Sequence, residues 1–232
     1  MSNFNGCVFL SKVRLSFPNL AVPRAPQGSD KLKYSADFIL TPNDPNYKKF
    51  VDLATALAQA KWPQHHAAIL QAIYSDRKRR CFGGGAEKVD TTTYAILNGY
   101  EGMVYVSAAR QSDKGMPQMI GPDNQGIDPN NTLACQNEAR KMYGGCYVNA
   151  VVKPWIYDNQ WGKGISADLV AVQFAADGEP FGEGVTDASA MFAGQAPAAA
   201  APWSPPGVPG APPAMPAPPF APPAVPRSPW SA

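Results

Sequence analysis

Alternating strands separated by turn residues predict a mainly β fold with added helices, and three stretches carry that prediction. From Cys146 onward, alternate residues fall into two unlike sets: Cys146, Val148, Ala150, Val152 and Ile156 against Tyr147, Asn149, Val151, Lys153, Trp155 and Tyr157. Successive side chains point to opposite faces of a strand, so the first set is an apolar packing face. Cys7 to Phe17 alternates too, and Lys33 to Leu40 and Gly99 to Arg110 read as further strands. Helical spacing is confined to a shorter share of the chain.

Taken in order, the first strand is expected to place Phe9, Ser11, Val13, Leu15 and Phe17 on one face. Val8, Leu10, Lys12, Arg14 and Ser16 then share the other, which sets Lys12 and Arg14 two residues apart on one surface. A loop from Pro18 to Ser29 leads into Lys33 to Leu40. Asp44-Pro45 reads as an N-cap followed by proline at the first helical position. Tyr47, Phe50, Val51, Ala54, Leu57 and Ala58 keep helical spacing until Trp62-Pro63. A shorter helix spans about His65 to Tyr74, and both helices are expected to pack against the strands and close them. Arg77-Lys78-Arg79-Arg80 is the densest basic run. A solvated helix end favoured by the helix dipole and a contact for nucleic-acid phosphates are both open readings of it. Gly83-Gly84-Gly85 and Gly162-Lys163-Gly164 fit neither the dinucleotide fingerprint nor the P-loop pattern, and both read as flexible loops. In the third strand Tyr105 faces away from Val104 and Val106. Gln111 to Asn131 reads as one extended excursion, and a helix over about Leu133 to Tyr143 precedes the two-faced strand. A turn region, Asp158 to Gly164, then joins it to a strand running from Ile165 to about Ala175.

Composition divides the chain. Of 25 prolines, 14 lie after Ala188, while all 18 acidic residues lie at or before Asp187. Residues 1–187 are therefore expected to form the folded domain and residues 188–232 a disordered Ala/Pro-rich tail, because such a composition cannot bury a core. The tail carries one charge, Arg227, with Trp203, Phe220 and Trp230 as isolated rings. A net charge of +2 is low for a protein that holds nucleic acid by long-range charge alone, and fits local cations combined with stacking. Cys7, Cys81, Cys135 and Cys146 show no zinc-ligand spacing and read as reduced, buried thiols, so no metal or other cofactor is expected. No secretory signal opens the chain and no apolar run reaches membrane-spanning length, which predicts a cytoplasmic protein without a membrane partner.

The second face of the signature strand gathers rings, an amide and an ammonium. Rings and cations on an exposed sheet suit base stacking and phosphate contact without sequence readout. On this reading Lys12, Arg14, Arg110, Lys153 and Lys163 hold phosphates, while Trp155, Tyr157 and Trp161 stack bases. A packing role for the same rings, under a helix or loop, is the alternative, and Pro154 could mark an edge or bulge that shifts the parity at Trp155.

GGCYVNAVVKPWIYDNQWGKGISADLVAVQFAADGE, from Gly144 to Glu179, resembles the C-terminal signature of a phage family first catalogued as a domain of unknown function and later linked to single-stranded DNA-binding proteins. KVRLSFPNL (Lys12 to Leu20), KYSADFIL (Lys33 to Leu40) and GYEGMVYVSA (Gly99 to Ala108) extend the likeness in the same order, over about residues 7–183. The resemblance implies an OB fold, a five-stranded barrel, that coats single-stranded DNA without catalysis in the cytoplasm of an infected bacterium. It also implies phage replication or recombination proteins as partners and is compatible with self-association on DNA. Three other readings stay open: a mediator that anneals complementary strands, a metal-dependent nuclease, and a virion structural protein.

Overall fold

The computed structural model describes residues 6–26, 28–160 and 162–182. The expected tail from residue 188 and the candidate stacking residue Trp161 lie outside the described residues. Seven strands form one sheet in the order β3-β4-β2-β1-β6-β7-β5. Five are long: β1 (Val8–Arg24), β2 (Lys33–Leu40), β4 (Val104–Gln111), β6 (Tyr147–Asn159) and β7 (Gly162–Ala176). Two three-residue strands, β3 (Phe82–Gly84) and β5 (Gln118–Ile120), flank them. The expected five strands are thus present with two short additions. β5 runs parallel to β7, and the other pairs are antiparallel. The sheet curls until β4 meets β7, where Arg110 Nη1 lies 3.0 Å from Asp168 Oδ2.

The core sits inside this curl. Val8, Leu10, Val13 and Leu15 from β1 meet Val148, Ala150 and Val152 from β6 and Ile165 and Leu169 from β7. Helix α1 (Pro45–Lys61) packs Phe50, Ala54 and Ala58 into the same cluster. It begins as the sequence predicts, with Asp44 accepting a hydrogen bond from the Asn46 amide at 2.7 Å. Proline at the first position loses nothing there, because that amide has no helical partner. Helices α2 (His66–Ser75) and α3 (Thr132–Arg140) are the other α-helices among the described residues, with three short 3₁₀ turns besides.

Five expectations need correction. The loop expected from Pro18 to Ser29 is strand over most of its length, since β1 continues to Arg24 and pairs Asn19 with Ser35 and Arg24 with Lys33. The first strand does not alternate evenly. Leu10 pairs with Ala150 but Val13 with Val148, so Ser11 and Lys12 together oppose Asn149. This bulge has Lys12 at φ +49, and its amide donates to Asn149 Oδ1 at 2.9 Å. The extra residue reverses the facing, which turns Phe9 outward, 52% exposed, while Val13 stays in the core. A second bulge at Phe17 (φ +46) likewise leaves that ring exposed. Gly83 and Gly84 belong to β3 rather than a flexible loop, and a methyl at Gly85 would fall 1.8 Å from the Tyr100 carbonyl oxygen. Gly162 and Gly164 are likewise strand residues: β6 and β7 pair out to Asn159 and Gly162, so most of the region expected as a turn, Asp158 to Gly164, is strand. Finally, the third strand starts at Val104, because Gly99 and Gly102 turn the backbone through positive φ just before it.

Cys135 and Cys146 are buried, Cys7 and Cys81 half-buried, and all four are free thiols. Burial pushes the Cys81 thiol up to about 12. No helix is long and apolar enough to cross a membrane, and no metal-holding group of His, Cys, Asp or Glu occurs among the described residues.

Candidate nucleic-acid interface

β6 keeps its parity through Pro154. Val148, Ala150, Val152 and Pro154 are buried, while Lys153 and Trp155 are exposed. Pro154 pairs with Ala167 of β7, while β1 stops pairing with β6 at Val152, so the proline lies where the sheet has a neighbour on one side only. The alternative of a bulge at Pro154 does not arise; a register slip lies on the neighbouring strand, where Val151 faces Ala171 and Val152 faces Leu169, which leaves Val170 bulged.

The outward face of β6 and its neighbours therefore forms one surface. Phe9 stands opposite Val151, Lys153 opposite Asp168, Trp155 opposite Ser166 and Tyr157 opposite Gly164. Trp155 is 46% exposed. Its ring centroid lies 5.9 Å from that of Tyr157, with the planes tilted by 59°. Lys153, Trp155 and Asp168 line a groove of about 260 Å³ with Ala109, Gln111 and Lys114 from the end of β4 and the turn after it. The Lys153 and Lys114 ammonium groups have no ion-pair partner among the described residues.

Tyr157 is half-buried because its hydroxyl reaches over Gly164, where a methyl would come within 2.1 Å of it. That same methyl would lie 2.4 Å from the Arg79 carbonyl oxygen, so the basic run folds against the hairpin. Burial raises the Tyr157 phenol above its ordinary value, against the opposing pull of Arg79 nearby. Arg79 forms a half-exposed pair with Asp76 at 3.2 Å, and its guanidinium lies beside Gly162.

The remaining site candidates are tied into the fold. Lys163 is on the opposite face from Trp155. It bonds Asp158, lies 5.3 Å from the Trp62 ring, and so fastens the hairpin tip to the end of α1. Lys163 first, and then the Trp62 indole N–H donating at 2.9 Å, hold the Asp158 carboxyl below its usual range. Arg110 bridges to Asp168 and donates to the Lys114 carbonyl at 3.1 Å. Arg14 donates to the Glu179 carbonyl at 2.6 Å and the Gly145 carbonyl at 3.3 Å, with its guanidinium 4.4 Å from the Phe181 ring centre. Lys12 is exposed beside Asn149 on the same outward surface as Phe9. The structure thus brings Lys12, Lys153, Trp155 and Tyr157 onto one surface. It places Lys163 elsewhere, sets Arg14 and Arg110 in structural bonds, and leaves Trp161 outside the described residues.

Phe9 and Lys114 join the surface without having been expected there, and Arg79 joins it from the basic run for which a phosphate contact was one of two open readings. Even alternation hid Phe9, since a one-residue bulge leaves no mark in the hydrophobic pattern. Arg79 lay in a basic run whose partner, Gly164, is remote in sequence. Lys114 lay in a stretch read only as an excursion.

A small curled β-sheet whose last hairpin carries exposed rings and cations has the architecture of the oligonucleotide-binding barrels. The family model described as Enterobacter phage Enc34, ssDNA-binding protein, matches residues 7–200, and the chain belongs to that family. Protein p50 of Acyrthosiphon pisum secondary endosymbiont phage 1 is 33% identical over 174 residues, covering 74% of this chain and 84% of that protein. The single-stranded DNA-binding protein from bacteriophage Enc34 in complex with ssDNA is similar in fold, with a TM-score of 0.58 and 24% identity over 77% of this chain and 90% of that one. Another structure of the Enc34 protein gives 0.55 and 26% identity over 81% and 90%.

Proposed function

We propose that the protein binds single-stranded DNA with little sequence preference and coats it during phage replication or recombination in the host cytoplasm. It acts as a binding protein and not as a catalyst. The observation that carries this reading is the tilted Trp155–Tyr157 pair at the edge of a groove bearing Lys153 and Lys114. Every base offers a π-face, so such rings bind without reading sequence, and the ammonium groups beside them suit the phosphates between bases. Membership of the Enc34 family supports the same reading.

Titration with poly-dT, followed by tryptophan fluorescence, tests it. Trp155→Ala is expected to weaken binding by ~1–3 kcal/mol, the usual worth of a base–ring stack, and Trp155→Phe by less because a π-face remains. Both variants should melt close to the parent, since the ring is nearly half exposed. A variant that melts far lower yet binds normally once folded would make Trp155 a packing residue and overturn the stacking assignment.

A further inference from the structure

On β4, Tyr105, Ser107, Ala109 and Gln111 share the face turned away from Val106 and Ala108, with Tyr105 itself buried at 4% exposure and Lys88 over its ring. Ala109 and Gln111 line the Trp155 groove, whereas Tyr105 and Ser107 line a second cleft of about 280 Å³ with Arg77, Lys78, Arg80, Glu87 and Lys88. One strand face therefore runs from one depression to the other, over about 20 Å for six residues at ~3.4 Å each. The 3₁₀ turn Arg77–Arg79 connects the second cleft to the hairpin that carries Trp155 and Tyr157. Its Arg79 abuts the hairpin at Gly162 and Gly164, while Arg77 and Lys78 stand at the second cleft.

The cations of this cleft divide by role. Arg80 spends its guanidinium on the Tyr74 and Phe82 carbonyls and on Glu87 at 2.7 Å. Lys88 lies 2.6 Å from Asp37 and 4.3 Å from the Tyr105 ring centre. These two are neutralised and form the floor. Arg77 keeps one bond to the Glu87 carbonyl at 3.1 Å and is otherwise exposed, and the exposed Lys78 ammonium has no ion-pair partner among the described residues. The charge left over at this cleft is positive, supplied by two side chains at its rim.

We propose that this cleft is a second phosphate-binding station for the same DNA strand. The strand would leave the Trp155–Tyr157 rings, pass Arg79, and lay its backbone between Arg77 and Lys78. This rests on the single-stranded DNA reading above, and its consequence is a footprint longer than the ring pair alone can cover.

The test compares the full chain with R77A/K78A on two oligo-dT ligands, one of about 5 and one of about 20 nucleotides, within the range of OB-fold site sizes. On the long ligand the double variant should bind roughly tenfold more weakly at low salt, with the salt slope shallower by about 1.4, at ~0.7 per lost phosphate contact. On the short ligand, affinity should stay within about twofold, because the rings alone fill it. K48A/K49A, which removes two charges from the outer face of α1, should leave both ligands within that same range. An equal loss on both lengths, or an equal loss in K48A/K49A, would reduce the effect to the general field of the protein and overturn the proposal. So would unchanged binding to the long ligand. Arg77→Gln/Lys78→Gln, which keeps most of each side chain's bulk, should reproduce the loss; if it does not, packing and not charge was removed. Failure of the parent to bind either ligand would instead refute the DNA-binding reading itself.

Discussion

Phe9 shows how much one residue decides. Were β1 regular, Phe9 would share a face with Val13 in the core; the bulge at Lys12 turns it out to 52% exposure beside Val151. Four residues along the β6 ladder separate its row from that of Trp155, about 14 Å at ~3.4 Å per residue, so both rings can serve one strand of DNA. Phe9→Ala should change stability by no more than ~0.5 kcal/mol, as for other exposed positions. If the ring stacks on a base, the same change should cost ~1–3 kcal/mol of poly-dT affinity. Equal affinities for the two proteins would confine stacking to the hairpin. Gly164 is the complementary case, where nothing larger fits between Tyr157 Oη and the Arg79 carbonyl. Gly164→Ala should cost ~1–3 kcal/mol of stability through overpacking, and thermal unfolding would show it as a lower midpoint. It should also weaken DNA binding, by displacing Tyr157 and Arg79 together. Neither position stood out in the sequence. The bulge is enforced by the long-range bond from the Lys12 amide to Asn149, and the close approach at Gly164 by a turn some eighty positions away.

At the scale of elements, strand and helix identities were legible because each rests on local chemistry. The Asp44-Pro45 start and the Val148-Ala150-Val152 face are examples. What could not be read was how elements use their cations, since a salt bridge or cation–π contact joins residues distant in sequence. Arg14 is the clearest instance. It was expected on phosphates, yet it clasps the segment after β7 through the Glu179 carbonyl and the Phe181 ring, while Phe181 closes over Gly99. Arg14→Ala should therefore destabilise the protein by ~1.5–3 kcal/mol, the range for hydrogen bonds from a charged donor. Its effect on poly-dT affinity should be small once the protein is folded. A normal melting temperature with weakened binding would return Arg14 to the DNA. Lys163 and Arg110 follow the same logic: the first holds the hairpin tip to Trp62 and the second joins β4 to β7, so both position the groove that Lys153 and Trp155 line.

Across the whole molecule, the near balance of charge limits what electrostatics can contribute. Lys12, Lys114, Lys153 and Arg79 are the cations on or beside the ring surface that the fold leaves most available. At ~0.7 per contact they give a slope of log K against log salt near −3 on short ligands. The two further contacts proposed at Arg77 and Lys78 steepen it to about −4 on long ones. A slope near zero would remove these side chains from the binding site altogether. Residues 188–232 hold no acidic side chain and only Arg227 as a charge, so they can neither compete with phosphates for these cations nor add appreciably to them. Their aromatic rings leave one route to the DNA, stacking, and the barrel surface already supplies rings for that. A chain cut after Asp187 is therefore expected to keep its circular dichroism spectrum, its salt slope and most of its poly-dT affinity, although the family match continues to residue 200. If the shortened chain folds but binds more than about tenfold more weakly, a loss of ~1.4 kcal/mol, the rings of the tail share in holding DNA. Restoring residues 188–200 alone would then show whether that share lies within the family match or in the Trp203, Phe220 and Trp230 segment beyond it.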